Sequence, residues 1–181
     1  MSRSIERYVD ELTARALDGV PSGPGAPSQV SLRRAVSDAY YASFHFLVDQ
    51  VVVQLLGKSR GQRQARFVLS RGLTHTGLRD GCRKFSSGPL AGSLVAGLKT
   101  PSPLPPVPTE VREFASLFVE LQRSRHDADY NWNRRFSKAE CEFTVRNTKF
   151  AIERFRSVSP SNAGRQWFLS ALAVWPELKR R

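Results

Sequence analysis

The chain has 181 residues, 40% of them hydrophobic, and a formal net charge of +12 from 28 Lys+Arg against 16 Asp+Glu. That length allows one domain with a sizeable core and makes two full domains a squeeze. The charge favours an acidic partner: nucleic acid, an acidic protein or an anionic surface.

Of the 28 cations, 22 are Arg. Arginine suits bidentate phosphate recognition and stacking on bases, which shifts weight toward nucleic acid; a plain solvated basic face is the competing reading. The two cysteines, Cys82 and Cys141, lack nearby Cys/His ligand spacing, so neither a zinc site nor a disulfide framework is expected. The richest apolar run, Phe44 to Leu56, is broken by His45, Asp49, Gln50 and Gln54 and falls short of a membrane span. With no signal-like N-terminus, the expectation is a cytoplasmic protein with no membrane association, no metal and no cofactor.

In chain order, Ile5, Tyr8, Val9, Leu12 and Leu17 recur at helical spacing and predict a short amphipathic helix over 4–17, capped by Ser4. Gly19 to Gln29, with three prolines, predicts a loop. Ser31 reads as the cap of a long helix from Leu32 to Leu56. On it Ser37, Tyr41 and His45 fall at i, i+4 and i+8 and line one stripe, while Tyr40 reads as a core aromatic. From Gln62 to Phe85 a helical pattern is interrupted by Gly72, Gly77 and Gly81, which implies either a bent helix or very close packing. Arg60, Arg63, Arg66, Arg71, Arg79 and Arg83 make this region the best candidate for a basic face. His75, with no second ligand or base near it in sequence, has no assigned role.

Ser86 to Pro108, ending in five prolines, predicts a loop around a short helix at Leu90 to Leu98. Thr109-Glu110 opens the next long helix, and Ser137 with Glu140 has the form of a capping box for another that runs to Phe155. A last amphipathic helix over 162–175 stops at Pro176. Strand-like alternation, a Gly-rich phosphate loop and a nucleophile elbow are all missing from the sequence. The fold class expected is all-α, one domain over 1–181 with a core of about 31–158, two long central helices and shorter ones around them.

The densest chemistry lies at the end of the second long helix, in Leu-Gln-Arg-Ser-Arg-His-Asp-Ala-Asp-Tyr-Asn-Trp-Asn from Leu121 to Asn133. Arg125 and Asp129 are i, i+4 and able to form an ion pair; His126 and Tyr130 are i, i+4 and able to hydrogen-bond. Taken with Arg33-Arg34-Ala-Val-Ser37-Asp-Ala-Tyr40-Tyr41-Ala-Ser-Phe44-His45, this segment resembles the HEPN superfamily. The likeness is to a small prokaryotic branch with an Ala-Tyr-Tyr-Ala-x-Phe-His helix and an Arg-polar-x-Ala-Asp-Tyr signature, and it covers roughly Ser31 to Phe155.

The resemblance implies an up-down helical bundle, commonly a homodimer with two copies of the Arg motif facing one cleft. It also implies metal-independent ribonuclease activity in toxin–antitoxin or defence systems, and in some members a nucleotidyltransferase-type antitoxin as partner. Carried onto this chain, Arg125, His126 and Tyr130 become the catalytic candidates, with Arg125 clamping phosphate and His126 as acid or base. Arg123, Asp129, Asn131, His45 and Tyr41 become the RNA-binding candidates. The nuclease pattern follows its Arg, some residues on, with a His; here that window holds Tyr130, Asn131 and Trp132. A non-catalytic helical module that binds a nucleotidyltransferase-like partner or nucleic acid is the alternative, and a small-nucleotide binder is a third, weaker one.

Overall fold

The computed structural model describes residues 7–11, 14, 15, 28–86 and 104–178, and these residues are helices and their connections, with no strand among them. Residues 7–11 and 14–15 are helical. The further helices are α1 (Gln29–Leu56), α2 (Arg63–Gly72, after a 3₁₀ turn at Arg60–Gln62), α3 (His75–Ser86) and α4 (Thr109–Tyr130). They are followed by α5 (Lys138–Ser157), α6 (Ala163–Ala173) and the short α7 (Trp175–Leu178). The expected short helix at Leu90 to Leu98 lies outside the described residues.

Helix α1 is the central element. Half of its 28 residues are buried, and they point in several directions around its axis, so it packs on α4, α5, α6 and α2 at once. Phe46 of α1, Phe114 of α4 and Phe155 of α5 meet edge to face with ring centroids 5.2 to 5.3 Å apart. Each such pair contributes about 0.5–1.5 kcal/mol beyond its burial. Val9, 1% exposed, and the two-point contact of Arg15 with Asp38 at 2.7 and 2.9 Å tie the N-terminal segment to α1.

Several boundaries differ from expectation. Helix α1 starts at Gln29 because Ser28, not Ser31, is the cap: its Oγ accepts from the Ser31 backbone N–H at 3.1 Å. The glycine-interrupted region is two helices, broken at Leu73-Thr74, where Thr74 Oγ1 accepts from Gly77 N–H and starts α3. Gly81 reflects close packing, since a Cβ there would run into Leu172 and lie 3.3 Å from Trp175. The last helix ends at Ala173 and restarts as α7, with Pro176 in its first turn, where a missing N–H costs nothing. Ser137 caps α5 as expected by accepting from Glu140 N–H at 3.1 Å, but the Glu140 carboxylate pairs with Arg134.

Three arginines reach into helix ends. Arg33 donates to the carbonyls of Ala128 (2.7 Å), Asn131 (2.9 Å) and Arg134 (2.5 Å) past the end of α4. Arg66, 4% exposed, donates to Gly57 and Ser59 carbonyls at 2.8 Å beyond α1. Arg165 does the same for the Val158 carbonyl after α5. Arg33 reaches the Ala128 carbonyl inside the last turn of α4, Arg66 and Arg165 reach carbonyls of the connections just after α1 and α5, and each places positive charge near the negative end of a helix dipole. Arg66 therefore drops out of the expected basic face, and Arg79, 3.0 Å from Asp80, is partly neutralised.

Candidate functional site

The chain from Asn131 to Phe136 is fastened to the start of α1, which fixes where the end of α4 stands. Gln29 donates to Phe136 O at 2.8 Å and accepts from Phe136 N–H at 3.0 Å, and Arg33 holds the carbonyls before it. Arg33 also lies over the rings of Trp132 and Phe136, at 5.8 and 5.7 Å. The last turns of α4 thereby face the Ser37, Tyr41, His45 stripe of α1.

Arg125 is the centre of what meets there. Its Nε lies 2.6 Å from Asp129 Oδ2, off the N–H axis, as an i, i+4 charge contact with the two side chains 22% and 28% exposed. Its Nη2 donates to Tyr41 Oη at 3.0 Å. The guanidinium carbon is 5.4 Å from the Tyr41 ring centroid and 5.9 Å from those of Tyr40 and Tyr130. Ser37 Oγ donates to the other oxygen of Asp129 at 2.7 Å. Burial opposes the Arg125 charge, but Asp129 and the three tyrosine oxygens more than offset it, and the guanidinium pKa is raised.

His75 belongs to the same cluster. Its Nδ1 is 2.5 Å from Tyr40 Oη, and its ring stacks on Phe44 with centroids 3.9 Å apart. Burial, then the nearby charges of Arg125 and His45, push its pKa below the ordinary histidine value. Burial lowers that of His45 as well. Both imidazoles are thus held neutral near pH 7, and Tyr40, whose pKa burial raises, stays protonated. Which atom of the Tyr40–His75 pair carries the shared proton follows from the histidine tautomer.

The expected site residues divide accordingly. Arg125, Asp129, Tyr41, Tyr130 and His45 are brought together with Ser37, Tyr40 and His75; His45 reaches the cluster by ring contacts with Tyr41 and Tyr8. His126 and Tyr130 do not hydrogen-bond: their rings pack at 5.1 Å, and Tyr130, 62% exposed, touches both His126 and Arg125. Arg123 and Asn131 are exposed; the Asn131 contribution is its backbone, which caps α4 and accepts from Arg33. His75 and Arg33 are the participants that sequence reasoning passed over. The usable signals were Thr74 as a helix start and a cation in an early turn of α1, where the helix dipole disfavours one.

The arrangement offers a guanidinium with donors to spare, a neutral imidazole and tyrosine hydroxyls, the groups that bind a phosphate and move a proton beside it. Among the described residues, no three His, Cys, Asp or Glu side chains are grouped to hold a metal ion, and no helix is long and apolar enough to cross a membrane. Compared with protein-family models, curated proteins and solved structures, the chain gives no match.

Proposed function

We propose that this chain is a HEPN-like up-down helical protein that acts on RNA, cleaving it without a metal at the Arg125 cluster, as a ribonuclease of a toxin–antitoxin or defence system. The observation that carries the reading is the Arg125 guanidinium, 3.0 Å from Tyr41 Oη and 5.9 Å from the ring of Tyr40, whose hydroxyl is bonded to His75. In this scheme Arg125 binds the scissile phosphate. His75, with Nδ1–H donating to Tyr40, takes the 2′-hydroxyl proton on Nε2. The 2′-oxygen attacks phosphorus, the bond to the 5′-oxygen breaks, and the leaving oxygen takes a proton from His126. The products are a 2′,3′-cyclic phosphate and a 5′-hydroxyl, with Arg125 opposite the developing charge.

An exposed basic stripe on α2 supports RNA as the substrate. No Asp or Glu occurs from Gln50 to Arg79. On α2, Arg63, Phe67 and Arg71 fall at i, i+4 and i+8 and are all exposed, with Arg71 lying 5.6 Å over the Phe67 ring. An exposed ring between two cations suits stacking on a base between two phosphates.

The Arg125–Asp129 contact favours a second reading. A carboxylate 2.6 Å from Nε already neutralises the cation within one chain. In that case the face binds a nucleotidyltransferase-type partner or nucleic acid without turnover. Incubation of the purified protein with a broad RNA panel in a chelator decides between them. Cleavage that is lost in Arg125→Ala and His75→Ala, with circular dichroism unchanged, is expected. No cleavage by the wild-type chain, or cleavage indifferent to Arg125, sinks the nuclease; salt-sensitive binding without turnover leaves the second reading standing. A homodimer with two Arg125 clusters across one cleft belongs to the first reading, and sedimentation measures it.

A further inference from the structure

The connection from α4 to α5 presents an aromatic ring on a backbone that α1 holds in place. The Arg134 backbone N–H donates to the Asn131 carbonyl at 3.1 Å and closes a turn with Trp132 at the second of its four positions. Arg33 and Gln29 of α1 fasten that turn through the Asn131 and Arg134 carbonyls and the Phe136 backbone. Trp132 is nevertheless 84% exposed, the most open of the large apolar side chains among the described residues. A single exposed apolar side chain is ordinary on a protein surface. One mounted on a pinned turn, with a guanidinium 5.8 Å from its ring, loses little freedom when a ligand stacks on it.

Helical spacing leads from this ring to the Arg125 cluster. Arg123, His126 and Tyr130 fall at i, i+3 and i+7 on α4 and are all exposed. Tyr130 stands 5.9 Å from the Arg125 guanidinium, and Trp132 follows two residues later, its Cα within about 7 Å of that of Tyr130. On α1, Arg34 falls three residues before Ser37 and seven before Tyr41, so it extends the stripe that faces α4. Arg34, Arg123 and Arg135 are exposed, and none of them pairs with a carboxylate among the described residues. Open rings set among exposed guanidiniums suit a single strand, whose bases lie on the rings while its phosphates meet the cations.

We propose that Trp132 is a stacking platform for single-stranded RNA, taking a base that neighbours the phosphate held by Arg125. The assignment rests on RNA being the ligand of the Arg125 face, and it holds whether or not the strand is cleaved there. It makes the site selective for unpaired RNA, since a duplex keeps its bases stacked on one another and offers none to the indole.

The test is fluorescence anisotropy with a labelled 2′-O-methyl octauridylate, a single strand that lacks the nucleophile for its own cleavage. Trp132→Leu, which keeps apolar bulk and removes the ring, should weaken binding about tenfold or more. Trp132→Phe should restore most of it, and the salt dependence of Kd should be unchanged in both, because no phosphate contact is lost. Binding to the wild type should quench tryptophan emission, and the quench should vanish in Trp132→Phe although the strand still binds. Failure of the wild type to cleave RNA, alongside the Trp132→Leu loss, removes the nuclease and leaves the platform standing. Equal affinity of Trp132→Leu and the wild type overturns the platform and leaves the nuclease untouched. No binding by the wild type, or Trp132→Phe no better than Trp132→Leu, overturns it as well.

Discussion

Arg125 and Arg165 are both held by aromatic rings and oxygen atoms, yet their surroundings differ in the one respect that decides their chemistry. Arg125 stands near the surface with Asp129 on its own helix and hydroxyls around it. Arg165 is buried, with a carbonyl and an amide as partners. A partly exposed ion pair contributes little to folding and is readily opened by an incoming phosphate, so the first arginine is free to serve a site at low structural cost. The second is part of the architecture, and no carboxylate pairs with it among the described residues.

The comparison breaks most visibly at Gly164, beside Arg165. A Cβ there meets the Pro106 carbonyl, whose backbone cannot step aside cheaply, so Gly164→Ala should lower unfolding free energy in urea by about 3 kcal/mol. Arg165→Met follows, at about 2 kcal/mol, because the Val158 carbonyl is left without its donor. Arg125→Ala removes an i, i+4 pair worth about 0.2–0.5 kcal/mol and should leave urea stability within about 1 kcal/mol of wild type, while the proposed RNA cleavage should be lost. Equal stability losses at the two arginines would erase the distinction.

A smaller effect separates the histidines from the rest of the Arg125 region. The folded-state pKa of His75 and of His45 is lowered, so each contributes stability that is fully present above the unfolded histidine value of about 6.5 and is lost as pH falls from there through the lower folded value. The melting temperature should therefore decline on acidification in that window, and the decline should flatten in the double variant His45→Gln/His75→Gln. The acid limb of any cleavage–pH profile should likewise lie below about 6.5, since the imidazole stays unprotonated further down. A limb at or above that value would remove His75 from the scheme.

The sequence disclosed what periodicity and local spacing encode. The all-helical class, the start of α4 at Thr109, the Ser137 cap and the Arg125–Asp129 pair were all legible, because each depends on residues within a few positions of one another. The stripe of Ser37, Tyr41 and His45 was legible as a stripe; its partners on α4, some 90 residues on, were not. His75 was opaque for the same reason, its partner Tyr40 lying 35 positions earlier on another helix. The possible hydrogen bond between His126 and Tyr130 is not made, because i, i+4 spacing brings two rings together without aligning donor and acceptor. The basic face was overcounted, since a list of arginines does not tell which of them turn inward.

That inward turn changes what the formal charge means. Arg33, Arg66 and Arg165 each direct a guanidinium inward, onto carbonyls at or just past the end of a helix, where the planar fork holds several donors in a fixed geometry that a single ammonium nitrogen does not offer. The outward field is correspondingly weaker than the count of cations suggests. On a cation-exchange or heparin column the folded chain should elute at lower salt than an equally charged protein whose arginines all face water, and unfolding in urea should release the difference as stronger retention.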